Sequence, residues 1–234
     1  FSVLSAFKIV RTPNFLQLPA AGLRIPGYSW PVRTFFVMNQ YVRRFEPLAA
    51  ICQAITEGDI DRASSLIDLQ GHDGLSGLSG DTLAQSPVMM ALSTGHPRLA
   101  HRIVAAGFKP SAWEAAGLDL AGELHAQAAA DPDRLCLCNA EGWAPLHLAC
   151  YAHAHKALAV LCEFATDPNV VACNSSLETP LHSAVRADDA EAVRILLDAG
   201  ADARFLDAAG RSPLQLAIEL AAIEAGDVLT QRAE

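Results

Sequence analysis

Cysteine and histidine side chains between residues 136 and 150 come nearest, in this chain, to the pattern of a metal or redox centre. Cys136 and Cys138 are followed by His147 and Cys150. A structural zinc site needs four such ligands in tetrahedral array. The single residue between Cys136 and Cys138 is a tighter spacing than zinc fingers use. We therefore expect neither a bound metal ion nor a redox pair here, but ordinary loop and core cysteines.

Motifs that would indicate catalysis do not occur elsewhere in the sequence. The chain has no Walker phosphate loop, dinucleotide-binding fingerprint, zincin helix or nucleophile elbow. The Gly/Ser-rich segment Gly71–Gly80 lacks the lysine and the flanking strand of a phosphate-binding loop, so it is interpreted as a flexible linker. We predict a protein that is not an enzyme and that uses no cofactor or metal.

The charged residues are distributed unevenly along the chain. Residues 1–45 carry six of the 17 basic side chains and no acidic one, which leaves 11 basic against 26 acidic side chains in the remainder. Such an acidic body repels phosphate backbones, so nucleic acid is not expected as a partner. No apolar run reaches the roughly 20 residues that a membrane-spanning helix needs.

The six cysteines lie mostly within apolar helical patterns, as small core residues do. We interpret them as reduced thiols, and this interpretation predicts a cytoplasmic location.

A short motif recurs at a nearly constant interval and predicts the architecture. The segments Ala144–Ala149, Thr179–Ala184 and Ser212–Ala217 read APLHLA, TPLHSA and SPLQLA, and their prolines lie 35 and 33 residues apart. A hydroxyl side chain can cap a helix by accepting a backbone hydrogen bond, and proline is tolerated at the first helical position. A second apolar helix follows in each copy, for example Ala190 to Ala199 before Gly200. One such pair cannot bury its apolar face alone, so the pairs must stack.

This pattern resembles the ankyrin repeat, whose units of about 33 residues carry the signature T-P-L-H-x-A. The resemblance implies an all-α solenoid of stacked helix–turn–helix units. His147 and His182 occupy the histidine position of the motif, which in that family braces adjacent loops by hydrogen bonds. Leu177 departs from the family, because it stands where the hairpin glycine usually lies.

Two regions are predicted. Residues 1–37 are expected to form an irregular segment, with three interpretations open: an upstream extension that is not native and precedes a natural start at Met38, a genuine ordered extension or linker, and an organelle targeting peptide. Residues 38–234 are predicted to be the repeat domain. Its units lie near 46–70, 86–110, 111–138 (degenerate), 139–173, 174–206 and 207–234 (the cap).

The resemblance also implies where a partner binds, because the loops and the first helices of such a stack line a concave face. Trp, Tyr and Arg dominate the energetics of protein interfaces. We expect a non-catalytic, monomeric protein–protein interaction module whose partner presents a basic patch to the acidic body. The alternative is a regulatory, inhibitory or stabilising subunit of a specific enzyme or toxin. The predicted contact residues are Glu141, Trp143, Tyr151, Glu178, Arg186, Arg211 and Glu219.

Overall fold

Paired helices make up the computed structural model, which describes residues 47–71, 75–76, 78–80, 86–164 and 167–233. The predicted segment 1–37 lies outside these residues. A 3-10 helix, Pro132–Cys136, separates the third pair from the fourth. Within the described residues the pairs are α1 (47–56) with α2 (Ile60–Gln70), α3 (Pro87–Ser93) with α4 (Pro97–Ala105), α5 (Ala112–Gly117) with α6 (Ala121–Ala130), α7 (Pro145–Tyr151) with α8 (His155–Glu163), α9 (Pro180–Arg186) with α10 (Ala190–Asp198), and α11 (Pro213–Leu220) with α12 (Ile223–Ala233).

Hydroxyl caps and prolines mark the starts of several first helices. The hydroxyl oxygens of Ser86 and Ser212 accept hydrogen bonds from backbone amides of the first turn. Pro145, Pro180 and Pro213 occupy the first helical position, where the missing N–H would have had no intrahelical partner. These three helix starts are confirmed.

Two of the second helices end at a glycine in the left-handed region. Gly107 follows α4 and Gly200 follows α10, both with φ of 95°. The Gly200 amide donates to the Leu197 carbonyl at 3.1 Å, which satisfies one of the free carbonyls at the helix end. Glycine is favoured there because it has no Cβ to clash in this conformation.

The helix pairs stack into two layers. The first helices α5, α7, α9 and α11 contact one another in sequence, and the second helices α6, α8, α10 and α12 do the same. Many of the residues between the layers are alanines of near-zero exposure, which lets the helices approach closely. This arrangement confirms the predicted all-α solenoid. No described helix is long and apolar enough to cross a membrane.

The described residues of the Gly71–Gly80 segment do not behave as a flexible linker, so that interpretation was wrong. Leu75 is fully buried and Leu78 is 5% exposed. The Leu75 amide donates to Ala106 O at 3.0 Å, and the Lys109 amide donates to Leu78 O at 2.9 Å. The two leucines anchor the segment on the end of the second unit, because burying apolar side chains outweighs the mobility that its glycines and serines suggest.

Candidate functional site

Six of the seven predicted contact residues form two rows of structurally equivalent positions in the last three units. Trp143, Glu178 and Arg211 each precede the capping residue of a first helix, and we call them the loop row. Tyr151, Arg186 and Glu219 lie eight residues further on, near the ends of α7, α9 and α11, and we call them the helix row. The two rows together are called the loop face. The seventh residue, Glu141, is exposed on the hairpin loop beside Trp143.

An asparagine or aspartate side chain shapes the hairpin loop before each loop-row residue. Asn139 Oδ1 accepts hydrogen bonds from the amides of Glu141 at 3.0 Å and Trp143 at 2.9 Å. Asp207 Oδ1 accepts in the same way from the Arg211 amide at 2.9 Å. Such side-chain turns fix the backbone without help from a sheet. The loop-row residues are therefore presented on a defined frame.

The residue immediately before each loop-row residue has a left-handed backbone. Gly142 and Gly210 have φ of 84° and 75°, and Leu177 takes the equivalent conformation with φ of 50°. Leu177 is 49% exposed. Leu177 thus gives its loop the same shape as the loops that contain Gly142 and Gly210, although the left-handed conformation is unfavourable for a residue with a Cβ.

Buried histidines connect each loop to the following one, which confirms the bracing role implied by the resemblance. His147 Nε2 donates to Glu178 O at 3.0 Å, and His182 Nε2 donates to Arg211 O at 3.1 Å. A carbonyl can only accept, so Nε2 carries the hydrogen in both rings. Burial lowers the pKa of both histidines and favours the neutral ring. These bonds set the spacing of the loop row.

The two braces differ at the other ring nitrogen. His182 Nδ1 lies 2.9 Å from Thr179 Oγ1 and accepts from the Thr179 amide at 3.2 Å. In the preceding unit the capping position is Ala144, and the buried His147 Nδ1 has no hydrogen-bond partner among the described residues. Leaving a buried polar atom unsatisfied is destabilising.

Replacing Ala144 with threonine is therefore expected to raise the free energy of unfolding by about 1 to 2 kcal/mol, since it supplies both a helix cap and a donor for His147. Urea unfolding followed by circular dichroism measures the change. Ala144→Val has the same shape without the hydroxyl and is the matched control. Equal stability of the threonine and valine variants would contradict the explanation.

Charged side chains of the loop face pair with each other within a unit. Glu178 is only 2% exposed, and its carboxylate accepts from Arg186 Nε at 3.0 and 3.1 Å. Arg211 Nη2 lies 2.7 Å from Asp207 Oδ2, and Arg211 Nη1 lies 3.0 Å from Glu219 Oε2. Both arginines are thus held in place by carboxylates of their own unit. Glu178 positions Arg186 and offers little surface to a partner.

The fourth unit presents aromatic residues where the next two units present ion pairs. Tyr151 is 67% exposed at the end of α7. Trp143 is half-buried, with its ring centroid 5.5 Å from that of His147. The indole therefore rests on its own unit and keeps part of its surface free. The loop face is therefore aromatic in the fourth unit and charged in the fifth and sixth units.

A disulfide that the sequence analysis did not predict lies beside the loop face. Cys138 and Cys173 are joined, with Cα atoms 6.3 Å apart, so the interpretation of all six cysteines as reduced thiols was wrong. Each immediately precedes the asparagine that shapes its loop, and they are 35 residues apart, one repeat length. Aligning the repeats would have shown this equivalence. The other four, Cys52, Cys136, Cys150 and Cys162, are free.

A second group missed from the sequence lies in the turns between paired helices. His153 and His155 both contact the buried carboxylate of Asp189 from the following unit. Burial opposes ionisation of Asp189, but hydrogen bonds from the Ala192 amide and from His155 lower its pKa overall.

Comparison with known proteins agrees with this architecture. A family model described as ankyrin repeats (3 copies) matches residues 111–207 and 164–234. The human B-cell lymphoma 3 protein is 29% identical over 169 residues, which cover 71% of this chain and 32% of that protein. The chain thus spans about a third of the length of that relative. With more than half of its residues matched by the family model, the chain belongs to the ankyrin-repeat family.

Proposed function

We propose that this chain is a non-catalytic module that binds a partner protein on the loop face, with Trp143 and Tyr151 as the principal anchors. Ankyrin repeats are protein–protein interaction modules. The observation that supports this particular location is the exposed Tyr151 with the half-buried Trp143, at the positions that the paired Arg186 and Glu178 hold in the next unit, on a frame fixed by histidine braces. Large aromatic side chains on a rigid support give much contact area at little entropic cost.

The chemistry of the face also indicates what kind of partner fits. Arg186 and Arg211 already have carboxylate partners, so they do not leave an uncompensated positive charge. Glu141 is exposed beside the aromatic pair, and the chain as a whole has a net charge of −9. We infer a partner that offers an apolar side chain to the aromatic pair from within a basic patch. We also infer that the module acts as a monomer.

Truncating one aromatic anchor is expected to weaken partner binding by about 30-fold, equivalent to about 2 kcal/mol. The partner is first captured from the source cell with the wild-type chain and is then titrated against purified variants. Tyr151→Ala is the cleaner variant because most of its side chain is exposed, and Trp143→Ala is the second. Arg186 is left unchanged, since its loss would leave the buried Glu178 unpaired.

Leu69→Ala is the matched control, because Leu69 is 79% exposed on α2, a second helix, away from the loop face. It should bind like the wild type. Thermal unfolding establishes that each variant is folded. Equal affinity of the wild type, Tyr151→Ala and Trp143→Ala would exclude the loop face as the binding site.

A further inference from the structure

Two histidines and an aspartate meet where the fourth unit stacks on the fifth. His153 lies in the turn between α7 and α8, His155 is the first residue of α8, and Asp189 precedes α10. Asp189 Oδ2 is 2.7 Å from His153 Nδ1 and 2.8 Å from His155 Nε2. One potential ligand atom from each residue lies within 4.8 Å of the other two. The group therefore joins neighbouring units through three metal-binding side chains.

The fold holds these side chains in position independently of one another. Asp189 Oδ1 accepts from the amides of Glu191 at 3.1 Å and Ala192 at 3.0 Å, so the carboxylate is fixed by the start of α10. His153 has a left-handed backbone with φ of 54°, which turns its side chain toward the next unit. Hydrogen bonds of this kind orient the ligands of protein metal sites. Oδ2 faces both imidazoles, and His155 Nε2 also lies 3.0 Å from Oδ1.

The histidine pair is not required to build the turn. The equivalent turn between α9 and α10 has Asp188 at the left-handed position, and the turn between α11 and α12 has Ala221 there. Both of those turns form, and neither carries a histidine in these positions. The His153 and His155 side chains are 56% and 40% exposed, so two polar rings share one carboxylate oxygen at a site that solvent reaches.

From this juxtaposition we propose that His153 Nδ1, His155 Nε2 and Asp189 Oδ2 bind one Zn²⁺ ion, with water completing its coordination. Ligand atoms about 2.0 to 2.2 Å from a tetrahedral zinc are separated by more than 3 Å, so small rotations of the half-exposed imidazoles accommodate the ion. Two imidazoles with one carboxylate suit zinc and its transition-metal neighbours, whereas Mg²⁺ and Ca²⁺ prefer oxygen ligands alone.

Because the ligands come from two units, zinc binding stabilises the stack. A ligand that binds only the folded chain raises the free energy of unfolding, and with it Tm, by an amount that grows with the logarithm of its concentration relative to the dissociation constant. The metal would fix the fourth unit, which carries Trp143 and Tyr151, against the fifth. This zinc site does not depend on the proposed partner, so either proposal can fail without the other.

Calorimetric titration of the metal-stripped full chain tests the site. We expect one Zn²⁺ per chain, a rise in Tm with Zn²⁺ and no comparable effect of Mg²⁺. His155→Gln is expected to weaken binding at least about 10-fold, and His153→Asn/His155→Gln to abolish it. Asparagine suits the left-handed position of His153, and the Tm of each variant without metal is the baseline from which its shift with Zn²⁺ is measured.

A control separates this site from the thiols. Cys136→Ser removes an exposed free cysteine and should leave zinc binding unchanged. Bound Co²⁺ should show d–d absorption without a thiolate charge-transfer band. The proposal is overturned if no stoichiometric Zn²⁺ binds, or if the histidine double variant binds it as tightly as the wild type.

Discussion

Cys173→Ser is expected to lower the free energy of unfolding by about 3 to 4 kcal/mol under oxidising conditions, and Tm by about 10 °C. The disulfide from Cys138 to Cys173 closes a segment with a sequence separation of 35. In the chain-entropy account, closing a loop of that length removes conformations from the unfolded chain and so stabilises the folded one. Thermal unfolding and urea unfolding of the wild type and of Cys173→Ser measure the changes in Tm and in the free energy of unfolding.

Reductant provides the internal control for this experiment. With the disulfide reduced, the wild type and Cys173→Ser should unfold at nearly the same temperature. Cys136→Ser leaves the disulfide intact and should behave like the wild type in both conditions. Alkylation of the denatured, unreduced chain should label four of the six cysteines. Labelling of all six, or no effect of reductant on Tm, would show that the bond does not form.

The position of the disulfide also concerns function. Cys138 and Cys173 sit at the bases of the loops that carry Trp143 and Glu178. The Cys173 amide additionally donates to Gly142 O at 2.8 Å, so a covalent bond and a hydrogen bond join the same two loops. Binding costs less when the contact residues are ordered beforehand. The cross-link therefore favours a rigid loop face.

Local sequence rules were enough to predict the helices and the histidine braces. A hydroxyl residue followed by proline specifies a helix start from a few consecutive residues, as at Pro180 and Pro213, and at Pro145 the proline marks the start without a side-chain cap. The histidine of the motif acts within a repeating geometry, so its contact to the next loop follows from the family resemblance. The helix starts depend on short segments, and the histidine braces depend on the repeating geometry.

Contacts peculiar to this chain could not be predicted in the same way. Asp189 meets His153 and His155 across 36 and 34 residues, and no local pattern marks these three side chains as neighbours. The burial of Leu75 and Leu78 was not predicted, because the glycines and serines around them are typical of a flexible loop. The cytoplasmic location also stays a prediction, and the Cys138–Cys173 disulfide removes the free-thiol argument for it.

Gly142→Ala is expected to lower the free energy of unfolding by about 3 kcal/mol, since it combines two separate costs. Its φ of 84° is unfavourable for any residue with a Cβ, by about 1 to 2 kcal/mol. An added Cβ would also lie 2.7 Å from the Asn174 backbone nitrogen and 3.0 Å from the Cys173 carbonyl carbon. Those atoms belong to the next loop, which the disulfide and the hydrogen bonds prevent from moving away.

Gly210→Ala separates the two costs. Gly210 has nearly the same conformation, with φ of 75°, but no described residue other than its chain neighbours lies within 4 Å of the Cβ position. It should lose only about 1 kcal/mol in urea unfolding, which is the conformational part alone. Leu177 shows that a side chain with φ of 50° is tolerated at the equivalent position. The larger loss at Gly142 must then come from the close approach of two loops, and equal losses in the two variants would contradict this packing of the loop face.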